Sequence, residues 1–236
     1  KLILNSATYR QSSQVTAEAH ARDPENRQLT RGPRFRMSGE MIRDTALAVS
    51  GLLNHRMGGP SVRPPQPQSV IEEAFGSNPW DVSSGENRYR RAVYTFILRT
   101  TPYSLTATFD APSPQEPCAR RDRSNTPLQA LTLLNDPAFF EMAQALAQRV
   151  LAGPAASDRE RLVRAFRLCL GRQPLAEEVD QLEKYLQAQR RHLLAHPEQA
   201  QAMVTLDSGT IPVIEAAAWS STCSILLNLH EFITRD

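Results

Sequence analysis

From Thr126 onward the chain is punctuated at short intervals by helix starts and stops, and this points the second half to a helical bundle. Thr126-Pro127-Leu128-Gln129 combines a hydroxyl acceptor, a proline at the first helical position and a glutamine three residues on. The Thr126 hydroxyl should therefore accept from the backbone N–H of Gln129, and the helix should end near Asn135. Asp136-Pro137 repeats the signal, and Phe139, Phe140, Ala143, Leu146, Ala147 and Val150 carry a second helix to Gly153-Pro154. Ser157-Asp158-Arg159-Glu160 opens a third, with Leu162, Val163, Phe166, Cys169 and Leu170 on one face and Gly171 at its end. A fourth follows Pro174 and aligns Val179, Leu182, Leu186 and Leu193, although Leu175 stands where a capping Ser, Thr or Asp is expected. A last helix, around 213 to 231, should bury Trp219, Cys223, Leu226 and Leu227.

The first half reads differently. Ser38 precedes Met41, Ile42, Thr45, Ala46, Val49, Leu52 and Leu53, which predicts a helix from about 39 to 55. Met57 to Pro67 is rich in glycine and proline and should run extended, as a long ordered loop or a linker. Residues 92 to 99 alternate Val93, Thr95 and Ile97 with Tyr94, Phe96 and Leu98, compatible with a buried strand whose partner is Leu105 to Phe109. The expected class is mainly α: a C-terminal helical bundle, a small β element in the form of a short hairpin, and long Pro-rich ordered loops in the N-terminal half. The expected division is 1–125 and 126–236, joined in one integrated domain. Because the chain opens Lys1-Leu2-Ile3-Leu4 without Met or cap, we expect a piece of a longer protein.

Charge narrows the partners. A net charge of +2 with 22% charged residues carries no nucleic-acid or polybasic-membrane signature. No stretch approaches the roughly 20 apolar residues of a membrane span. Cys118, Cys169 and Cys223 are an odd number without CxxC spacing, which excludes a disulfide framework and a four-cysteine zinc site. Cys169 and Cys223 lie on apolar helix faces and should be buried and unbridged. His192 and His196 are spaced i, i+4, but Pro197 ends their helix, so we expect exposed histidines and no metal. His230 should be a core or rim histidine.

The densest chemistry lies between Phe109 and Leu131. There Asp110, Cys118, Arg120, Arg121, Asp122, Asn125 and the turn-forming Pro112, Pro114 and Pro117 are packed close to the Thr126 helix start. Cys118 beside two arginines has the surroundings of an activated thiol, with a structural thiol as the simpler reading. Asp110 and Asp122 could act as paired carboxylates in glycoside hydrolysis; a turn-capping or Arg-pairing role is the plainer alternative. Arg88, Arg90, Arg91, Arg99, Arg120, Arg121 and Arg123 could form an anion pocket, unless Asp81, Glu86, Asp110, Glu116 and Asp122 neutralise them. We expect Arg90 or Arg91 and Arg120 or Arg121 to converge on Asp110 or Asp122. The resulting candidate binding residues are Arg90, Arg91, Tyr94, Asp110, Arg120, Arg121, Asp122 and Asn125.

A set of motifs runs through the chain in order: Asn5-Ser6-Ala7-Thr8-Tyr9-Arg10-Gln11-Ser12-Ser13, Asp23-Pro24 with Asn26-Arg27, Ile42-Arg43-Asp44, and Met57-Gly58-Gly59-Pro60-Ser61-Val62. Arg90-Arg91 with Val93-Tyr94, Thr126-Pro127-Leu128-Gln129-Ala130-Leu131, Leu170-Gly171-Arg172-Gln173-Pro174 and Leu226-Leu227-Asn228-Leu229-His230-Glu231-Phe232 follow. Together they resemble the C-terminal domain of planctomycete cytochrome-c-associated proteins, the domain of unknown function 1553, over essentially the whole chain. The resemblance implies a module of a large exported bacterial protein, with a cell-envelope or extracellular address and a cytochrome c type domain as a partner in the parent chain. The haem-attachment sequence Cys-x-x-Cys-His is absent, so no cofactor is expected in this segment. No catalytic residue carries over. The expected function is a structural or ligand-binding module for an anionic surface polymer or polysaccharide. The alternatives are a hydrolase acting on polysaccharide and a docking module for the cytochrome domain.

Overall fold

The computed structural model describes residues 1–73 and 80–235. Its first half holds α1 (Leu2–Asn5), α2 (Ala17–Arg22), α3 (Gly39–Ser50), α4 (Gln68–Glu73) and α5 (Ser104–Thr108). The second half holds α6 (Pro127–Asn135), α7 (Pro137–Leu151), α8 (Asp158–Leu170), α9 (Ala176–Ala195), α10 (Pro197–Met203), α11 (Val213–Asn228) and α12 (His230–Ile233). A small antiparallel element pairs β1 (Phe35–Arg36) with β2 (Thr234–Arg235), placing Phe35 opposite Arg235. The chain is thus mainly α with a small β element.

Helix boundaries follow the caps. Thr126 Oγ1 accepts from Gln129 N–H at 3.4 Å, Asp136 Oδ1 from Ala138 N–H at 2.8 Å, and Ser157 Oγ from Glu160 N–H at 3.2 Å. At α9 the missing side-chain cap on Leu175 is replaced from inside the helix, since the Leu175 N–H donates to Glu178 Oε2 at 2.6 Å. The helix expected over 39–55 stops at Ser50 because Gly51 takes a left-handed φ of 83° and the N–H groups of Leu52 and Leu53 fold back onto Leu47 O. The last long helix ends at Asn228, short of 231, and the chain restarts as α12.

The centre of the bundle is α11. From Ala216 to Leu227 it is apolar or small on every face, and the hydroxyls of Ser220, Ser221 and Thr222 donate to carbonyls one turn back, so this stretch can be enclosed. It packs mainly on α7 and α9, and α3 packs on α7, so both halves contribute to one core. Cys223 is fully buried there; Cys169, expected to be buried, is only partly so, and both thiols are free.

Residues 92 to 99 and 105 to 109 do not form the expected strands. Ala92–Tyr94 is a 3-10 turn, and Ser104–Thr108 is helical. The pairing partner comes instead from the proline-rich segment: Val62 N–H donates to Tyr94 O and Phe96 N–H to Val62 O, both at 2.8 Å. The alternation read from sequence still sorts the side chains. Tyr94 and Phe96 lie under the guanidinium groups of Arg90 and Arg63, 3.7 and 4.4 Å from their ring centroids, while Val93, Thr95 and Ile97 line a cleft.

Segment 57–67 is ordered by donors from elsewhere. Pro64, Pro65 and Gln66 are buried, and a proline-rich stretch offers carbonyls but few N–H groups. Trp80 Nε1 donates to Pro64 O at 2.7 Å, Tyr103 Oη to Pro65 O at 3.2 Å, and Arg90 Nη1 to Pro60 O at 2.9 Å. Arg90 Nη2 also reaches the carbonyls of Gly58 and Arg56. Arg90 is itself held by Arg43 of α3, whose Nη1 donates to Arg90 O at 2.7 Å and Nη2 to Arg88 O at 3.1 Å. Each arginine is 1% exposed, with carbonyls as its hydrogen-bond acceptors. Arg88 and Tyr89 complete the attachment by gripping Glu141 of α7 at 2.7 and 2.6 Å.

Asp136 makes stability depend on pH. Burial at the start of α7 pushes its carboxyl up to about 6, against the opposing pull of two backbone N–H groups and Arg43. Folding then takes up a proton between 3.8 and about 6, so this group's contribution weakens as pH rises through that window and is most favourable on its acid side. Asp136→Asn keeps a capping oxygen and should remove a slope of at most about 1.4 kcal/mol per pH unit, measured by chemical denaturation across the window. An unchanged slope in the variant would contradict this.

Candidate functional site

A cleft of about 810 Å³ lies over α3. Glu40 and Asp44, one turn apart on that helix, form its floor with Met41. One wall is the 91–97 segment, presenting Arg91, Val93, Thr95 and Ile97; the other is Ala111 to Pro114 with Arg121. Val93 and Ile97 are 71% and 65% exposed, so much of that wall is aliphatic surface open to solvent.

Charges on the floor are paired. Asp44 Oδ1 accepts from Ala92 N–H at 2.6 Å and its Oδ2 faces Arg91 Nε at 3.6 Å. Glu40 receives Arg121 Nη1 at 3.0 and 3.1 Å. Burial tends to raise the Glu40 carboxyl, but its own N–H, the Ser38 hydroxyl and the Arg121 charge outweigh that and hold it below its ordinary value.

The expected convergence on Asp110 and Asp122 does not occur. Arg91 and Arg121 pair with acids of α3, Arg90 is buried among carbonyls, and Arg120 and Asn125 are exposed away from any carboxylate partner among the described residues. Asp110 is occupied by Ser124, accepting its N–H at 2.6 Å and its hydroxyl at 2.8 Å, and it adopts a left-handed φ of 59°. Asp122 is exposed and shares with Asp110 a smaller hollow of about 180 Å³. Tyr94 lies beside the cleft, where its hydroxyl accepts from Gly58 N–H at 2.7 Å. Two donors of one residue, the Ser124 N–H and hydroxyl, take the Asp110 carboxylate where an arginine was expected.

Cys118 is exposed, its thiol directed at Arg120 O at 3.1 Å. His192 and His196 are exposed, with stacked rings 4.6 Å apart and His192 Nε2 near Gln199 Oε1. His230 sits at the rim, its Nε2 3.2 Å from Thr234 Oγ1. No group of three metal-ligating side chains occurs among the described residues.

Sequence reasoning missed Gln129, the polar centre of the motif block. Fully buried, it donates from Nε2 to Thr108 O and Ser124 Oγ at 3.0 Å and accepts from Arg36 Nη2 at 2.7 Å. Its place at N3 after the Thr126 cap was the available signal; its long-range partners, 21 and 93 residues away, were not. Arg36 is lowered by burial, with Asp110 opposing the shift. Gln129→Leu should cost about 3 kcal/mol in urea unfolding, because it takes the acceptor from Arg36 and the donor from Thr108 O together. A loss below about 1 kcal/mol would show that water replaces the amide without penalty.

Residues 1–186 match the family described as PSD1, Protein of unknown function (DUF1553). No curated protein and no solved structure matches the chain. The matched stretch contains α3, both cleft walls, the Arg43 and Arg90 attachments and the Gln129 centre, while α11 and β2 beyond it complete the core and the β pair. The chain belongs to the DUF1553 family.

Proposed function

We propose that this domain is a non-catalytic ligand-binding module whose site is the α3 cleft. The observation that carries this reading is the engagement of both floor carboxylates, Asp44 by Ala92 N–H and Arg91, Glu40 by Arg121. Hydrolysis of a glycosidic bond needs one carboxyl able to deliver a proton, which calls for a raised pKa. Glu40 is displaced the other way. The aliphatic wall suits apolar ligand surface, and the exposed edges of Arg91 and Arg121 offer donors to acidic groups. These features support an anionic surface polymer, such as an acidic polysaccharide, as the ligand. The exported setting and the neighbouring cytochrome c type domain belong to the same proposal, on the family resemblance. Docking to that domain is a second reading, supported by Leu128, Leu131 and Leu134, which leave an uncharged, half-exposed stripe on α6.

Titrating oligogalacturonate by calorimetry, with reducing ends assayed in the same samples, tests the leading reading. Saturable binding without new reducing ends, lost in the cleft-wall variant Ile97→Asp, is expected. Sustained release of reducing ends that Asp44→Asn abolishes would establish the hydrolytic alternative, and absence of saturable binding would overturn the glycan reading.

A further inference from the structure

Residues 111–123 form a strap along one side of the cleft. Its base is closed by Asp110 and Ser124, joined through the Asp110 carboxylate at 2.6 and 2.8 Å. Between these ends the sequence has no glycine and prolines at 112, 114 and 117, so the strap is stiff although most of it is exposed. Among the described residues, its hydrogen-bonded link to α3 is Arg121 to Glu40; Gln115 Nε2 reaches Arg99 O at 3.2 Å elsewhere. Arg121 is 50% exposed and Glu40 31%, and ion pairs so open to water contribute little. Among the described residues, Arg121 donates from Nη1 alone, and the other donors of its planar fork are not used in that pair.

We propose that Arg121 is the residue that selects an acidic group on the cleft's ligand, and that Glu40 is its built-in competitor. This rests on the cleft being the binding site. Glu40 stays ionised and occupies the position where a ligand carboxylate or sulfate would meet the guanidinium. An entering acidic ligand takes Arg121 from Glu40 while its apolar surface covers Val93 and Ile97, so the exchange replaces one ion pair by another and adds contact area. A neutral ligand of the same shape gains no such pair.

Calorimetric titrations with oligogalacturonate, dextran sulfate and neutral dextran, on wild type, Glu40→Gln and Arg121→Gln, test this. Glu40→Gln should bind acidic oligomers about threefold more tightly, the scale of one exposed ion pair. Arg121→Gln should weaken them by about tenfold or more, as loss of a charge-assisted contact does, with neutral dextran unaffected by either change. The carboxylate and sulfate arms show which acid the fork accepts. Unchanged or weaker binding in Glu40→Gln, or unchanged binding in Arg121→Gln, overturns the proposal, as does failure of both acidic probes to bind Glu40→Gln. Ile97→Asp separates the two levels. If it abolishes binding while the Glu40 and Arg121 variants behave as wild type, the cleft stands and the acid selection falls; if those variants respond and Ile97→Asp does not, the ligand sits outside the cleft.

Discussion

A proline-rich segment, buried at Val62 and from Pro64 to Gln66, brings more carbonyls than N–H groups into the interior, and the first half of this protein is organised around that shortage. Residues 57–67 form no helix or regular sheet, so their acceptors are met from other segments: by the side chains of Arg90, Trp80 and Tyr103 and by the N–H groups of Phe96 and Ser83. Arg90 carries the heaviest share. Its charge is taken out of water, and several carbonyls and the Tyr94 ring offset a desolvation cost of several kcal/mol. Charge-assisted hydrogen bonds of about 1.5–3 kcal/mol each make that exchange feasible. Arg43 repeats the device one layer deeper and anchors the assembly to α3.

The cleft is a consequence. Arg43 and Asp44 are neighbours on α3; the first turns inward to hold the carbonyls of residues 88 and 90, and the second holds Ala92 N–H and faces Arg91 at the surface. Between them they place the 91–97 wall beside the helix that forms the floor. The opposite wall is set by Gln129, which connects Thr108 and Ser124 at the base of the strap and reaches Arg36 of β1. The cleft walls therefore stand on loops, and the loops are fixed by buried polar contacts to helices.

Helices α6, α7 and α8 were legible because their caps are local: Thr126, Asp136 and Ser157 all accept from N–H groups two or three residues on, whereas α10, which has no side-chain cap, was not read from the sequence. The motifs were legible too, as unusual residue combinations. What they do was not. Ile42-Arg43-Asp44, Met57-Gly58-Gly59-Pro60, Arg90-Arg91 and Tyr94 meet in one attachment, across separations from 30 to 47 residues that no local pattern encodes. Arg172 likewise binds nearby Glu178 and reaches Glu231, 59 residues on, so that a second motif pair closes the bundle. The strand assignment at 92–99 failed for a related reason. Its alternation is real, but the partner is the Pro-rich segment and supplies a single bridge, too little for a ladder. Arginines near one another in sequence suggested a shared anion site, whereas the fold sends Arg90 inward and Arg91 outward.

Hydrogen exchange on Arg90→Met tests the dependence of the cleft on this attachment most directly. Loss of the guanidinium leaves the carbonyls of Gly58 and Pro60 without donors while the helical core is untouched. The amides of Val62 and Phe96 should lose protection, together with the 58–62 segment, while those of α7 and α11 keep theirs. Retained protection at Val62 and Phe96, or a uniform loss extending through α7 and α11, would contradict the claim that buried arginines order the proline-rich segment and through it the cleft wall.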